Sequence, residues 1–245
     1  MEDKALLSTE EASGAEKAEL LIVIPAYNEA ENIERVVNHL TANFPQYDYV
    51  VVNDGSRDET AAICQRNGYN LLNLPVNLGL AGCFQAGMKY AYYKGYEYAI
   101  QFDGDGQHRP EYLESMIKKM EEGYDIVIGS RFVGEKKPFT MRMLGSNLIE
   151  MAIRFTTGVN IKDPTSGMRM FSKRMIREFA SGLNYGPEPD TVSYLIRQGA
   201  RVAEVPVIMD ERILGVSYLT PVNAMRYMLK MLISILLIQN FRKRR

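Results

Sequence analysis

The 245-residue sequence predicts an α/β fold, a mostly parallel sheet carrying helices on both faces. Two observations predict it. Short aliphatic runs alternate with longer stretches of helical periodicity, in the order strand, helix, strand, helix. Polar, glycine-rich segments also come directly after the ends of several of the aliphatic runs. The length suits one good-sized domain and not two.

Leu20-Leu-Ile-Val-Ile24 is apolar, too short for a helix and ended by Pro25, so it is a buried strand. Ala30 to Leu40 places Ile33, Val36, Val37 and Leu40 at helical spacing. Tyr49-Val-Val-Val-Asn53 is a second buried strand, and Ser56-Arg-Asp-Glu59 has the form of a capping box opening the next helix. Asn70 to Leu74, Tyr98 to Phe102 and Asp125 to Gly129 repeat the strand pattern, with helical stretches between them. Residues 1–18 are acidic and lack an apolar core, which predicts a flexible tail and no signal peptide. The expected domain runs over 19–212, and a C-terminal helical segment over 213–245.

Composition removes whole classes of function. Apolar residues at 46% and charged residues at 24% exclude a disordered, collagen-like or low-complexity chain. Lys+Arg at 29 against Asp+Glu at 30 gives a net charge of −1, and no nucleic-acid partner is expected from so balanced a chain. Cys64 and Cys83 make neither a disulfide framework nor a metal motif, so they read as small buried residues in a reducing, cytoplasmic compartment.

Ligands of such sheets bind beyond the carboxyl ends of the strands. There the sequence places Pro25-Ala-Tyr-Asn-Glu29, Asn53-Asp-Gly-Ser56, Asp103-Gly-Asp-Gly-Gln-His108 and Ser130-Arg131. Asp103 and Asp105 are two apart, so in an extended segment both carboxylates can face one ion. Hard oxygen donors suit Mg²⁺ or Mn²⁺ completed by substrate phosphates, with Gln107 or His108 as further donors. A solvated acidic turn is the alternative. An EF-hand does not fit, because its sixth position would be His108 and not glycine. In Pro25-Ala-Tyr-Asn-Glu29, Tyr27 can stack on a base and Glu29 can reach a ribose or base edge. The same residues also read as an ordinary strand-to-helix turn with Asn28 as helix cap. His39 falls in a helical stretch and reads as a surface residue.

PAYNEAENI, VVNDGSRDET, NLGLAG, FDGDGQH and GSRF, in this order and spacing, resemble family 2 glycosyltransferases of the GT-A fold, a Rossmann-like sheet flanked by helices. Within that family the chain resembles the polyprenyl-phosphate and dolichyl-phosphate sugar transferases, over roughly Leu20 to Leu219. The resemblance implies inversion at the anomeric carbon, a nucleotide-diphosphate sugar donor (UDP-hexose or UDP-N-acetylhexosamine is expected), and Mg²⁺ or Mn²⁺ as cofactor. It implies nucleotide-sugar binding by Pro25, Ala26, Tyr27, Glu29, Asn53, Asp54 and Asp103. Asn53 stands where the family usually has aspartate. Asp103, Asp105 and Gln107 match the metal and diphosphate positions, and Arg131 a phosphate-binding arginine. Arg142 and Ser146 resemble the pair that holds the acceptor phosphate. Asp163-Pro-Thr-Ser-Gly-Met-Arg169 and Arg212-Ile-Leu-Gly-Val-Ser217 resemble two further family stretches, which adds Arg169, Arg212 and Ser217 to that set. The lysine common after that serine is Tyr218 here.

The chemistry agrees with the resemblance. Breaking a sugar–diphosphate bond develops charge on the leaving phosphate, which a divalent ion stabilises. Arg131, Arg142, Arg169 and Arg212 supply guanidinium forks that match phosphate oxygens. A lipid monophosphate is already anionic, so it needs no strong general base. The catalytic set expected is Asp105, Arg131, Glu188 and Asp190, the last two binding the sugar or organising the acceptor loop. If the acceptor were a glycan or lipid-linked hydroxyl instead, one of those two acids would act as base. A non-catalytic nucleotide-sugar-binding subunit is the third reading, and the intact Asp103/Asp105 pair argues against it. No Trp is present, so the Gln-x-x-Arg-Trp motif of processive synthases is missing. No Gly-x-Gly-x-x-Gly comes after the first strand, which disfavours a dinucleotide-dependent oxidoreductase.

From Pro221 the chain reads as an amphipathic helix, with Asn223, Arg226, Lys230 and Ser234 on one polar stripe. Met228 to Ile238 would span only about 16 Å as a helix, against about 30 Å of bilayer core. It is therefore expected to lie in the interface at the cytoplasmic membrane face, with Arg242-Lys-Arg-Arg245 favouring anionic headgroups. The alternatives are packing on the domain, a homo-oligomer contact, or docking on a small membrane protein.

Overall fold

A computed structural model of the chain describes residues 19–104, 106–135, 137–138, 140–181, 186–210 and 221–241. Its strands are β1 (Leu20–Ala26), β2 (Asp48–Asn53), β3 (Leu71–Asn73), β4 (Tyr98–Gln101), β5 (Ile126–Ser130), β6 (Arg169–Ser172) and β7 (Val202–Pro206). Its α-helices are α1 (Ile33–Asn43), α2 (Thr60–Arg66), α3 (Gly79–Lys94), α4 (Leu113–Glu121), α5 (Met141–Thr157), α6 (Lys173–Ser181), α7 (Pro189–Arg197) and α8 (Pro221–Leu236). The strands form one sheet in the order β3-β2-β1-β4-β6-β5-β7. All neighbours pair parallel except β6, which runs against both β4 and β5. The mostly parallel sheet expected from the sequence is present, with all five expected strands.

β1 explains why an uninterrupted aliphatic run was required. Leu21 and Val23 enter one core with Phe84, Met88, Phe171 and Phe179, while Leu20, Ile22 and Ile24 enter another with Ile33, Val37 and Leu113. Successive side chains of a strand point to opposite faces, so a strand covered on both sides must be apolar throughout. In the first core Phe84, Phe171 and Phe179 make three edge-to-face contacts at 4.8–5.4 Å between centroids. Gly87 lets α3 approach the sheet, since a Cβ there would overlap the Val23 side chain.

Three local expectations are corrected. α1 starts at Ile33 and not Ala30, because the amides of Asn32 and Ile33 both turn back to the Glu29 carbonyl. Ser56 does not cap α2: its Oγ accepts from the Asn28 amide at 3.0 Å, and the Asp58 carboxylate accepts from the Thr60 amide at 3.0 Å. Ser234 does not lie on an exposed stripe. It is buried with Met231 and Ile235, on the face of α8 that packs against α5 and α7, while Asn223, Arg226 and Lys230 are exposed. The opposite face of α8 exposes Met225, Leu229, Ile233 and Leu236, and neighbouring α5 exposes Leu144, Leu148, Met151 and Phe155. Each set recurs every three or four residues, so each is one stripe of its helix. Among the described residues, no helix is long and apolar enough to cross a membrane.

Asp125 fastens the far end of the sheet. Its carboxylate accepts from Arg174 Nε at 2.8 Å, Arg174 Nη2 at 2.6 Å and the Arg201 amide at 2.9 Å. Burial acts to raise its pKa, but the Arg174 hydrogen bonds and the Arg201 amide hold it below the ordinary value of 3.8. A lowered folded-state pKa stabilises the fold above the unfolded value and loses that contribution as pH falls through the folded one. Asp125→Asn is therefore expected to lower the urea midpoint at pH 7, with the gap to wild type closing as the pH falls through and below 3.8.

Candidate active site

β1, β2, β4 and β5 all point the same way, so the segments that leave their carboxyl ends meet at one rim. β6 points the other way, which brings its first residue, Arg169, to that rim opposite Gln101 and Ile128.

The first two rim loops are laced together by side chains. Asn28 is in the left-handed region at φ 55°, where asparagine is better tolerated than most residues. Its Oδ1 accepts from the Arg57 amide at 2.9 Å, so Asn28 joins two loops and caps no helix. The Glu29 amide donates to Thr60 Oγ1 at 2.9 Å and the Ala30 amide to Asp58 at 3.1 Å. This fixes Pro25 to Glu29, with Tyr27 half-buried and Glu29 accepting from Asn32 Nδ2 at 2.9 Å. Asn53 donates to Asn73 Oδ1 at 2.6 Å. Asp54 is buried, and its carboxylate accepts from the Leu78 amide at 2.6 Å and the Gly79 amide at 2.8 Å, capping α3. Both side chains thus organise these rim loops from within.

Asp103 lies just past the end of β4. Its Oδ1 accepts from Gln101 Nε2 at 3.1 Å, and its amide donates to His108 Nδ1 at 3.0 Å. With Nδ1 accepting, a neutral His108 carries its proton on Nε2, which lies 3.5 Å from Asp103 Oδ2. His108 is buried edge-on against Phe102 and acts as an orienting residue beside the carboxylate. Gly104 admits the Pro25 carbonyl, which a Cβ would meet at 3.1 Å. Gln107 turns to the exit of β7: its Nε2 donates to the Asp210 carbonyl at 3.3 Å, its own carbonyl accepts from the Asp210 amide at 2.9 Å, and Arg109 Nε donates to Asp210 Oδ1 at 2.9 Å.

Arg131 is gripped by Asp163, which accepts from its amide at 3.1 Å, Nε at 2.7 Å and Nη2 at 2.8 Å. Asp163 is fully buried, and its own amide and that of Lys162 each donate to Glu204 at 2.8 Å. Arg169 is buried as well. Its Nε donates to the Ser166 carbonyl at 2.8 Å and its Nη2 to the Pro164 carbonyl at 2.6 Å, while Nη1 has no hydrogen-bond partner among the described residues. Burial lowers its pKa, against the charges of Glu188, Asp163 and Asp190 nearby. Ser146 Oγ on α5 is buried and likewise without a partner among the described residues. Glu188 accepts from the Tyr227 hydroxyl, and Asp190 from Ser234 Oγ at 2.6 Å. Burial pushes the Tyr227 phenol up, and the neighbouring Glu188 carboxylate adds to it. Asp105, Arg212 and Ser217 and the side chain of Arg142 lie outside the described residues.

Sequence reasoning missed Asp163 as the holder of Arg131, Glu204 behind it, His108 as an orienting group, and Tyr227. Asp163 had a signal, since it opens the Asp-Pro-Thr-Ser-Gly stretch; Tyr227, inside an apolar helix, had none. The donor set tests a divalent ion directly. Asp103 is a carboxylate about a third exposed, followed by Gly104, with Asp105 two residues on between Gly104 and Gly106, and no cluster of three His, Cys, Asp or Glu forms among the described residues. One or two carboxylates without a full protein cage fit Mg²⁺ or Mn²⁺ completed by phosphate oxygens and water.

The family model described as glycosyl transferase family 2 matches residues 21–179. Polyprenol monophosphomannose synthase of Mycolicibacterium smegmatis is 31% identical over 223 residues, covering 86% of this chain and 84% of that protein. Undecaprenyl-phosphate mannosyltransferase of Micrococcus luteus is 30% identical over 210 residues, covering 81% and 86%. UDP-N-acetylglucosamine–dolichyl-phosphate N-acetylglucosaminyltransferase of Methanococcus voltae is 29% identical over 213 residues, covering 77% and 84%. Among solved structures, glucosyl-3-phosphoglycerate synthase of Mycobacterium tuberculosis, crystallised with Mn²⁺, UDP and glucosyl-3-phosphoglycerate, superposes with a TM-score of 0.66 at 17% identity, covering 92% of this chain and 81% of that one. That likeness is one of fold, and it is the GT-A fold the motifs led us to expect.

Proposed function

The chain belongs to glycosyl transferase family 2, and from that premise we propose that it transfers a single sugar, with inversion, from a nucleotide-diphosphate sugar to polyprenyl phosphate. The observation that carries the acceptor is Arg169, a buried guanidinium with one nitrogen unpartnered among the described residues, at the same rim as Asp103. Leaving a buried donor without a partner is costly, and a phosphate oxygen removes that cost. The relatives named for transfer to polyprenyl or dolichyl phosphates support the same acceptor.

Asp103, Asp105 and Gln107 would hold Mg²⁺ or Mn²⁺, which when bound neutralises charge on the leaving diphosphate. Tyr27, Glu29 and the loop carrying Asn53 and Asp54 receive the nucleotide. Arg131 keeps Nη1 outside its pair with Asp163, so it can meet an anion without leaving that pair. Ser146, with Arg142 on the same helix, serves the acceptor phosphate, as do Arg212 and Ser217. The lipid phosphate oxygen attacks as an anion, so Glu188 and Asp190 position and do not take a proton.

The exposed stripes of α5 and α8, with Arg226 and Lys230 beside them and Arg242-Lys-Arg-Arg245 further on, suit an anionic lipid surface. Met151→Glu combined with Leu229→Glu is expected to weaken binding to anionic vesicles by about tenfold or more. The variant's affinity for nucleotide should not change, as calorimetry would check. The reaction itself is tested with purified protein in detergent, polyprenyl phosphate, Mn²⁺ or Mg²⁺ and a panel of labelled nucleotide sugars. A labelled lipid that mild acid cleaves supports the reading and names the sugar. Labelled product only on a glycan or lipid-linked hydroxyl would overturn the acceptor.

A further inference from the structure

We infer that α8 belongs to the positioning structure of the transfer site, with Tyr227 setting Glu188 and Ser234 setting Asp190. The inference rests on the reaction proposed above. Glu188 occupies the N-cap position of α7 in an extended conformation, where a short polar side chain ordinarily folds back onto the helix amides. It makes no such bond. Its carboxylate is instead met by the Tyr227 hydroxyl, 39 residues further along the chain. Asp190, two residues on and buried, receives Ser234 Oγ at 2.6 Å and Gln239 Nε2 at 3.3 Å on one oxygen and the Thr191 amide at 2.9 Å on the other. Gln239 also donates to Ser234 Oγ at 3.3 Å, which closes a polar cluster on the acid.

Packing alone does not require these groups. The rest of the inner face of α8 is apolar, with Met228 against Gly145 and with Met231 and Ile235 in the core. The polar contacts are directed at the two acids, and the acids connect to the rim in two ways. Both bear electrostatically on Arg169, whose strand position faces Gln101, the residue that holds Asp103. Gly186, just before Glu188, lies against Ala81 in the first turn of α3, the helix that Asp54 caps. A helix whose outer face suits a lipid surface therefore holds, by its inner face, two of the carboxylates whose charge bears on the acceptor-side arginine.

Tyr227→Phe keeps the ring and removes only the donor. We expect kcat/KM for polyprenyl phosphate to fall about ten- to hundredfold, carried by kcat, with nucleotide affinity by calorimetry unchanged. In a cycle with Glu188→Gln, the double variant should be no slower than Glu188→Gln alone, because Tyr227 acts through that carboxylate. Multiplying losses, or an unaltered Tyr227→Phe enzyme, would overturn the role. Ser234→Ala with Asp190→Asn gives a second, independent cycle with the same expectation. Amide hydrogen exchange without substrate separates this from any error in the assigned reaction. Protection over residues 186–195 should fall at least tenfold in Tyr227→Phe/Ser234→Ala and stay constant over β1 and β2. Unchanged protection at 186–195 sinks the inference whatever the reaction proves to be.

Discussion

Asp103→Asn is expected to reduce kcat by about 10²–10³-fold, the scale on which one electrostatic contact to a developing charge is felt. The substitution preserves size and one acceptor oxygen, so Gln101 Nε2 keeps its partner at 3.1 Å and the backbone bond to His108 is untouched. Only the charge goes. The side chain is about a third exposed, so little of the core depends on it, and the urea midpoint should move little. Titration of Mn²⁺ in the presence of nucleoside diphosphate should show the loss directly, as weakened metal affinity that excess metal partly restores. Full activity in Asp103→Asn would remove the metal-binding role from this loop.

Asp163→Ala should have the largest effect on stability. Asp163 is fully buried and receives three donors from Arg131, whose side chain is one-quarter exposed. Removing one member of a buried pair strands the other, at a cost of roughly 3–5 kcal/mol. For a domain this size that is a large share of the whole stability. Urea unfolding would give the number, and Asp163→Asn, which retains two acceptor sites, should recover part of it. Activity should fall further than stability explains, because Arg131 loses the partner that fixes its orientation. Transfer measured well below the unfolding midpoint separates the two contributions.

The N-terminal half of the molecule was legible because its signals are local. β1 and β2 are covered on both faces, so their sequences must be apolar runs, and the rim residues come directly after them. β6 and β7 gave no such signal. β6 is Arg-Met-Phe-Ser, short and without a β-branched residue, and β7 carries Glu204 and Pro206. The caps failed for a different reason. Asn28 and Ser56 have the residue types of helix caps, yet each is 28 or 29 positions from its partner, and tertiary pairing of two loops prevails over local geometry. The same holds for Arg131 and Asp163, 32 residues apart. Spacing identified the charged groups at the rim, but which cation is paired and which has a free nitrogen depends on the fold.

The reversed direction of β6 determines how firmly one of those cations is held. Where every strand of a sheet exits at a rim, ligands there meet only loops. β6 enters at this rim, so Arg169 sits within the ladder, with hydrogen-bonded strands on either side of it at Gln101 and Ile128. Its guanidinium is further anchored on the Pro164 and Ser166 carbonyls. Arg169 is thus a firmly held cation at the rim. An anion docking on it meets a charge already in place, with almost no reorganisation to undergo, and the adjustable partners in the encounter are the loops and the incoming ligand.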